Sequence, residues 1–142
     1  MIKQVSVFLE NKKGRIESVL DILSQENINI RALSIAETKD FGILRLIVNK
    51  PEQAINILKE NGFRVGETQV LAIEVPDTPG GLANTLKPLT KQGINIEYMY
   101  AFLAKRSDNA VVIFRVDDLN RAKEVLINSD VKVLEGETLY SL

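Results

Sequence analysis

Apolar and polar residues alternate near the start of the chain and then change to a helical period. Val5, Val7 and Leu9 occupy every second position, which is typical of a strand with one buried face. Apolar residues next recur at spacings of three and four, which is typical of an amphipathic helix; these residues are Ile16, Val19, Leu20 and Leu23. The same comparison of strand and helix periods, carried through the first 68 residues, predicts the element order β-α-β-β-α-β.

The same pattern returns in the second half of the chain. A shift of 66 places Gly14 on Gly80, and residues 28–30 on residues 94–96, both of which read Ile-Asn-Ile. From residue 43 onward the shift is 68, and we interpret the extra residues, within the stretch 104–109, as a longer hairpin loop. We therefore expect two domains, residues 1–68 and residues 69–142.

Each copy has two helices for four strands, which is enough to cover one face of a sheet. The pattern therefore predicts an α+β protein of two tandem ferredoxin-like βαββαβ units, with antiparallel sheets and helices on one face. Pro88 lies inside the predicted helix 81–91 and should bend that helix or end it early. We expect a last short strand at residues 131–134 and a turn at residues 135–137.

Two predicted strands are apolar on both faces. Residues 43–48 and 111–116 contain one arginine each and no other polar residue. Because the helices cover one face only, the second face is expected to meet another chain, which predicts a homodimer. The alternative is that these residues reflect strong β-propensity on a partly exposed sheet.

Composition excludes several classes of function. The chain has 142 residues and a net charge of −1, which disfavours a general nucleic-acid binder, and no apolar stretch is long enough to span a membrane. It has no His and no Cys, which excludes a histidine base, a cysteine nucleophile, a disulfide and a zinc site with nitrogen or sulfur ligands. We expect a cytoplasmic protein without a metal or cofactor and without catalytic activity.

One loop has the polarity that an α-amino acid requires. Pro79 fixes φ, and Gly80 and Gly81 allow a tight turn into the next helix. The N–H groups at a helix start suit a carboxylate, and the neighbouring Asp77 would accept a hydrogen bond from an ammonium group. The alternative is an ordinary strand-to-helix turn in which Asp77 is a local cap.

A second candidate is an asparagine that opens the second strand of each copy. Asn29 and Asn95 stand in equivalent Ile-Asn-Ile segments. An amide side chain offers donors and an acceptor, so it can bind either end of a zwitterion. Asn is also common where a chain leaves a helix through a turn, so a purely structural role is the alternative.

Together these segments resemble the ACT domain, a small amino-acid-binding regulatory module. The resemblance rests on Asp77-x-Pro79-Gly80 followed by Gly93-Ile94-Asn95-Ile96, and on the weaker first-copy match Asn11-x-x-Gly14 with Asn27-Ile28-Asn29-Ile30. It covers essentially the whole chain and implies a stand-alone tandem ACT protein. Such proteins are non-catalytic, bind an amino acid at ACT–ACT interfaces, and signal through altered subunit packing.

The resemblance also implies which residues contact the ligand. In the second copy these are Asp77, Pro79, Gly80, Gly81, Leu82 and Asn95. In the first copy they are Asn11, Gly14, Arg15, Ile16 and Asn29. The first loop departs from the pattern, since Lys13 stands where Pro79 does and Arg15 where Gly81 does. In an alternative pairing, the loop of one unit faces the Asn of the other.

Other functions remain as alternatives. The chain is also similar to regulatory subunits that dock to an amino-acid biosynthetic enzyme, such as the acetolactate synthase small subunit. RNA-recognition modules share the βαββαβ order but need aromatic residues on the central strands. The first copy carries aliphatic residues at the positions considered for this role, namely Val5, Val7, Leu44 and Leu46. An acylphosphatase-type enzyme would need a phosphate-binding arginine loop, for which only Arg15 is available.

Overall fold

The computed structural model describes residues 1–103 and 108–142. Most of the predicted hairpin loop at residues 104–109 therefore lies outside the described residues. The chain forms two compact units, one of residues 3–68 and one of residues 69–142 together with Met1 and Ile2. The division into two domains at residue 68 stays a prediction.

The first unit has the predicted order of elements. These are β1 (Ile2–Glu10), α1 (Arg15–Gln25), β2 (Ile30–Glu37), β3 (Phe41–Val48), α2 (Pro51–Glu60) and the beginning of β4 (Arg64–Pro76). Strand β3 pairs antiparallel with both β1 and β2. Both helices pack on the same side of this sheet, where Leu23 and Leu58 are completely buried with Val7 and Leu46. Burial of each of these leucines contributes about 1.5–3 kcal/mol.

The second unit repeats this arrangement. Its elements are residues 69–76 of β4, then α3 (Gly81–Lys91), β5 (Ile96–Ala101), β6 (Asn109–Val116), α4 (Leu119–Asn128) and α5 (Gly136–Tyr140). Strand β6 pairs antiparallel with β4 and β5. Leu89 and Leu126 of the two longer helices are buried with Ile73 and Phe114. The α+β fold of two βαββαβ units is confirmed.

Two local predictions need correction, and of the two alternatives for Pro88 one is excluded. Residues 131–134 form only a bridge, Ile73 with Val133, although the N–H of Glu74 also donates to the carbonyl of Lys132. Helix α3 continues through Pro88 to Lys91, so it does not end early. Residues 135–137 are not a simple turn, because α5 begins at Gly136. A five-residue helix is too short to show a period in the sequence, and the burial of its Leu139 accompanies its formation.

The register separates the two faces of the first sheet. Val7 pairs with Leu44 on the face that the helices cover, and Phe8 pairs with Ile43 on the other. We call this other side the second face. The aliphatic residues that disfavoured RNA binding therefore point to the helices. The second face carries Phe8 and Phe41, which are 43% and 63% exposed, so the argument from aliphatic strands was wrong about which side chains are accessible.

Within the described residues, no helix has the length and apolar character needed to cross a membrane.

Candidate functional site

The strand-to-helix loops of the two units share one backbone turn. Gly14 and Gly80 precede α1 and α3 with φ of 86° and 81°, a left-handed conformation that favours glycine. The next residue closes the turn in each case, through Arg15 N–H to Lys12 O at 3.3 Å and Gly81 N–H to Thr78 O at 3.0 Å. Among the described residues no side chain caps either helix. The N–H groups of the two residues that follow Arg15 and of the two that follow Gly81 thus remain available to an anion.

The second loop lies against the end of its strand. A Cβ atom at Gly81 would stand 2.1 Å from the carbonyl oxygen of Pro76, a contact that the backbone would have to move to relieve. The close packing of this turn against the end of its strand therefore requires glycine at position 81, whether or not Gly81 also contacts a ligand. Arg15 occupies the equivalent position in the first unit, so that loop leaves room for a side chain.

A pocket of about 520 Å³ opens beside the second loop. Of the second-copy residues that the resemblance implies, Pro79 and Gly81 are in its lining, and Thr78 lies between Asp77 and Pro79 in the same wall. The sequence analysis did not select its other polar lining residues, which include Glu74, Asn84, Asn109, Asp130 and Lys132. Its volume lies within the range of small-molecule sites.

Glu74 is the most enclosed charge in this pocket. Its side chain is only 8% exposed, and Asn109 Nδ2 donates to Oε2 at 3.3 Å. Lys132 Nζ lies 3.7 Å from Oε1, which is close enough for an ion pair but too long for a good hydrogen bond. An acidic residue within the apolar strand at residues 70–75 was the sequence signal that could have identified it.

The first unit has a smaller pocket at the equivalent place, of about 280 Å³, with Arg15 in its lining. Glu10 of this pocket is bound by Lys12 at 2.8 Å and lies 3.8 Å from Arg15. The hydrogen bond from Lys12, followed by the charges of Lys12 and Arg15, holds the pKa of Glu10 below its usual value. This loop thus already contains an acidic group neutralised by its own cations.

Three other predicted residues have distinct surroundings. Asn11 donates through Nδ2 to the carbonyls of Thr38 and Lys39, at 3.3 and 3.1 Å, so its amide holds the β2–β3 hairpin. Ile16 is 41% exposed, whereas the equivalent Leu82 packs against the core of the second unit. Asp77 is exposed and lies in the bend before α3.

The structure does not bring the loop and the asparagine of one unit together. Asn29 precedes Ile30, which pairs with Val48, whereas the loop follows Glu10, which pairs with Phe41. The length of β3 therefore separates them, about 23 Å at the usual rise per residue. In the second unit the equivalent pairs are Pro76 with Asn109 and Ile96 with Val116, which gives the same separation.

Both asparagines are held by a hydrogen bond of their backbone while their side chains are exposed. The N–H of Asn29 donates to Asn49 Oδ1 at 2.9 Å, and the carbonyl of Asn95 accepts from Asp117 N–H at 3.4 Å. Their side chains stay in solvent. Within the described residues, no three acidic side chains converge as metal ligands.

Comparison with known proteins agrees with this architecture. A family model described as an ACT domain pair matches residues 1–142. The crystal structure of protein BT0572 from Bacteroides thetaiotaomicron is 45% identical, with a TM-score of 0.93 over 99% of this chain and 96% of that one. No curated protein gives a significant match.

More distant structures share the fold. The regulatory subunit of aspartate kinase from Thermus thermophilus is 16% identical, with a TM-score of 0.65 and 90% of each chain covered. That from Thermus flavus is 13% identical, with a TM-score of 0.61 and 88% of each chain covered. At such identities the likeness concerns the fold alone. The match over the full length, together with the duplicated unit and its glycine turns, confirms the resemblance seen in the sequence: the chain belongs to the family of ACT domain pairs.

Proposed function

We propose that this protein is a non-catalytic regulator that binds a free amino acid at interfaces between ACT units and signals through altered subunit packing. The observation that carries the proposal is the glycine turn before α3, whose uncapped helix start adjoins a pocket containing carboxylates. Helix N–H groups favour an anion, and carboxylates favour a cation. Both ends of a zwitterion therefore find a complementary group.

The α-carboxylate of the ligand would bind the first-turn N–H groups that follow Gly81. Its ammonium group would bind Asp77, which lies in the bend before α3, or Glu74, which lines the pocket. Solvent screens the nearly buried Glu74 less than the exposed Asp77, but the ammonium group would have to share Glu74 with Lys132, whose Nζ lies 3.7 Å from Oε1. Side-chain selectivity would come from the rest of the pocket wall.

Asn95 would complete such a site from another ACT unit. The separation of about 23 Å within a unit exceeds the length of an amino acid, so one unit cannot supply both groups. A second copy of the chain is the simplest source, which is consistent with the expected homodimer. Ligand binding would then be coupled to assembly, since the ligand favours the arrangement that it contacts on both sides.

A thermal-shift series with the twenty amino acids tests the proposal. A ligand at about 100 times its Kd stabilises the folded state by about 2.7 kcal/mol, which gives a clear rise in Tm. We expect one amino acid or a small related group to raise the Tm at millimolar concentration. No shift with any of the twenty would contradict the proposal.

Two substitutions then locate the site. Asn95→Ala should weaken binding of the identified amino acid at least tenfold in calorimetry, and Asn128→Ala, at an exposed position at the end of α4, should leave it unchanged. If Asn29→Ala has the larger effect, the first copy supplies the asparagine. Equal affinity of all three variants would exclude both asparagines from the site.

Docking to a metabolic enzyme is the second candidate. Its support is the likeness in fold to two regulatory subunits of aspartate kinase, over 90% and 88% of this chain. Such a protein would act in the cytoplasm, beside an amino-acid biosynthetic enzyme. Affinity purification of the tagged protein from its own cells should recover one enzyme in a near-equal molar amount. Recovery of the regulator alone would favour a free-standing sensor.

A further inference from the structure

A groove of about 550 Å³ lies on the second face of the first unit and shares Phe8, Leu9, Glu10 and Arg64 with the smaller loop pocket of that unit. One row of side chains crosses its floor. Phe8 pairs with Ile43, Ile43 pairs with Ala36, and the guanidinium carbon of Arg64 lies 5.2 Å from the centre of the Phe8 ring. Phe41 stands beside this row. The groove therefore combines an apolar floor with one cationic end.

The charged side chains around the groove differ in whether they already have a partner of opposite charge. Within the part of the chain that the structure describes, Arg64 makes no ion pair. Its guanidinium forms a cation–π contact with the Phe8 ring. Glu10, which also lines the groove, is held by Lys12 and Arg15. In the sheet order β2-β3-β1-β4, Glu37 on β2 lies three strands away from Arg64 on β4, or about 14 Å at the usual strand spacing. An anion at Arg64 therefore meets little repulsion.

The second unit carries different side chains in the equivalent row. Lys132, Glu74 and Val111 replace Arg64, Phe8 and Ile43, and Phe102 replaces Ala36. Phe102 donates its N–H to the carbonyl of Val111 and is only 9% exposed. There the cation has a carboxylate of its own, and a phenylalanine stands in place of the alanine. Among the described residues, the combination of Phe8, Ile43 and Ala36 with an arginine is therefore found in the first unit and not at the equivalent positions of the second.

We propose that this groove is a binding site for a small carboxylate with an aromatic or branched apolar body. The carboxylate binds the Arg64 guanidinium, which offers five donors in a planar fork. The apolar body covers Phe8, Ile43 and Ala36, and Phe41 packs along its edge. Stacking of bases is disfavoured, because nucleic acid would bring several phosphates and the lining of the groove contains a single arginine.

The test uses 3-phenylpropionate with the full chain and follows the ring protons of Phe8 and Phe41 by NMR. We expect saturable shifts at millimolar concentration, and at least tenfold weaker binding of 3-phenylpropanamide, which lacks the charge. Arg64→Met should cause a similar loss, whereas Lys59→Met, at an exposed position on α2, should have no effect. Ala36→Phe, which copies the second unit, should abolish binding while circular dichroism shows an intact fold.

Equal binding of the acid and the amide would overturn the proposal, as would unchanged Phe8 and Phe41 signals. Sedimentation provides a further test at the same protein concentration. If Phe41→Ser converts a dimer into a monomer, a second copy of the chain covers the groove and the proposed site is wrong. Amino-acid binding at the α3 loop is measured separately, so failure here leaves that proposal standing.

Discussion

Equivalent positions in the two units carry side chains of opposite character. In the first unit Phe8 and Phe41 are largely exposed, and Arg64 lies over an aromatic ring. In the second unit Glu74 and Asn109 replace the two aromatic residues and hydrogen bond to each other. The two units therefore share one backbone arrangement but differ in the chemical character of their surface side chains. On the two proposals above, each unit would bind a different ligand without a change of fold.

The loops differ in the same manner. Gly81 brings the second loop against its strand, whereas Arg15 at the equivalent position accompanies a cluster of charges around Glu10. The second loop therefore presents backbone N–H groups, whereas the first presents charged side chains. Binding through the helix start is consequently expected to be stronger in the second unit.

Substitution at this loop position gives the largest expected contrast. Gly81→Ala should lower the free energy of unfolding by about 3 kcal/mol, because its Cβ would overlap the Pro76 carbonyl and the backbone would have to shift. Arg15→Ala should change it by less than about 0.5 kcal/mol, since a Cβ is already present there and the side chain is exposed. Urea unfolding measures both. Equal effects would show that the two loops are packed alike.

A second contrast concerns the substituted sheet positions. Glu74→Ala should destabilise by about 1–3 kcal/mol, because it leaves the half-buried amide of Asn109 without its acceptor. Phe41→Ala in the first unit should cost less than about 0.5 kcal/mol, as its ring is 63% exposed. Thermal unfolding of both variants provides the comparison. A larger loss at Phe41 would indicate that something buries this ring in solution.

The smallest expected effect is the titration of Glu10, which has no acidic counterpart at Pro76. Lys12 and Arg15 lower the pKa of Glu10, so their stabilising interaction is present above the usual pKa of 4.5 and is lost as the pH falls through the lower, folded value. Lys12→Ala should raise the pKa of Glu10, measured by NMR of its carboxyl carbon. Lys13→Ala is the control. An unchanged pKa in Lys12→Ala would show that the exposed pair is not formed in solution.

The architecture was predictable because periodicity and repetition act over many residues. Alternation at Val5, Val7 and Leu9 and the helical period from Ile16 to Leu23 identified the correct elements, and the repeat supplied a second reading of each. Residues 131–134 and α5 were not predicted correctly, because short segments depend on tertiary contacts more than on their own pattern.

The candidate site was less predictable for a physical reason. The glycine turn at Gly80 follows from local conformational preference, and the structure contains it. Glu74, Asn109 and Lys132 come from separate strands and segments, and only the register brings them together. The role of Asn11 in holding the hairpin was likewise invisible, since its partners lie 27 and 28 residues away.

The length of strand between each loop and the asparagine of its own unit has a consequence for measurement. A site that draws its two halves from different copies exists only while those copies are associated. Dilution would then remove the receptor itself, and the apparent Kd would rise as the protein concentration falls below that needed for dimerisation. A titration at a single protein concentration would depend on the fraction of chains that are dimeric as well as on the affinity of the ligand for the dimer.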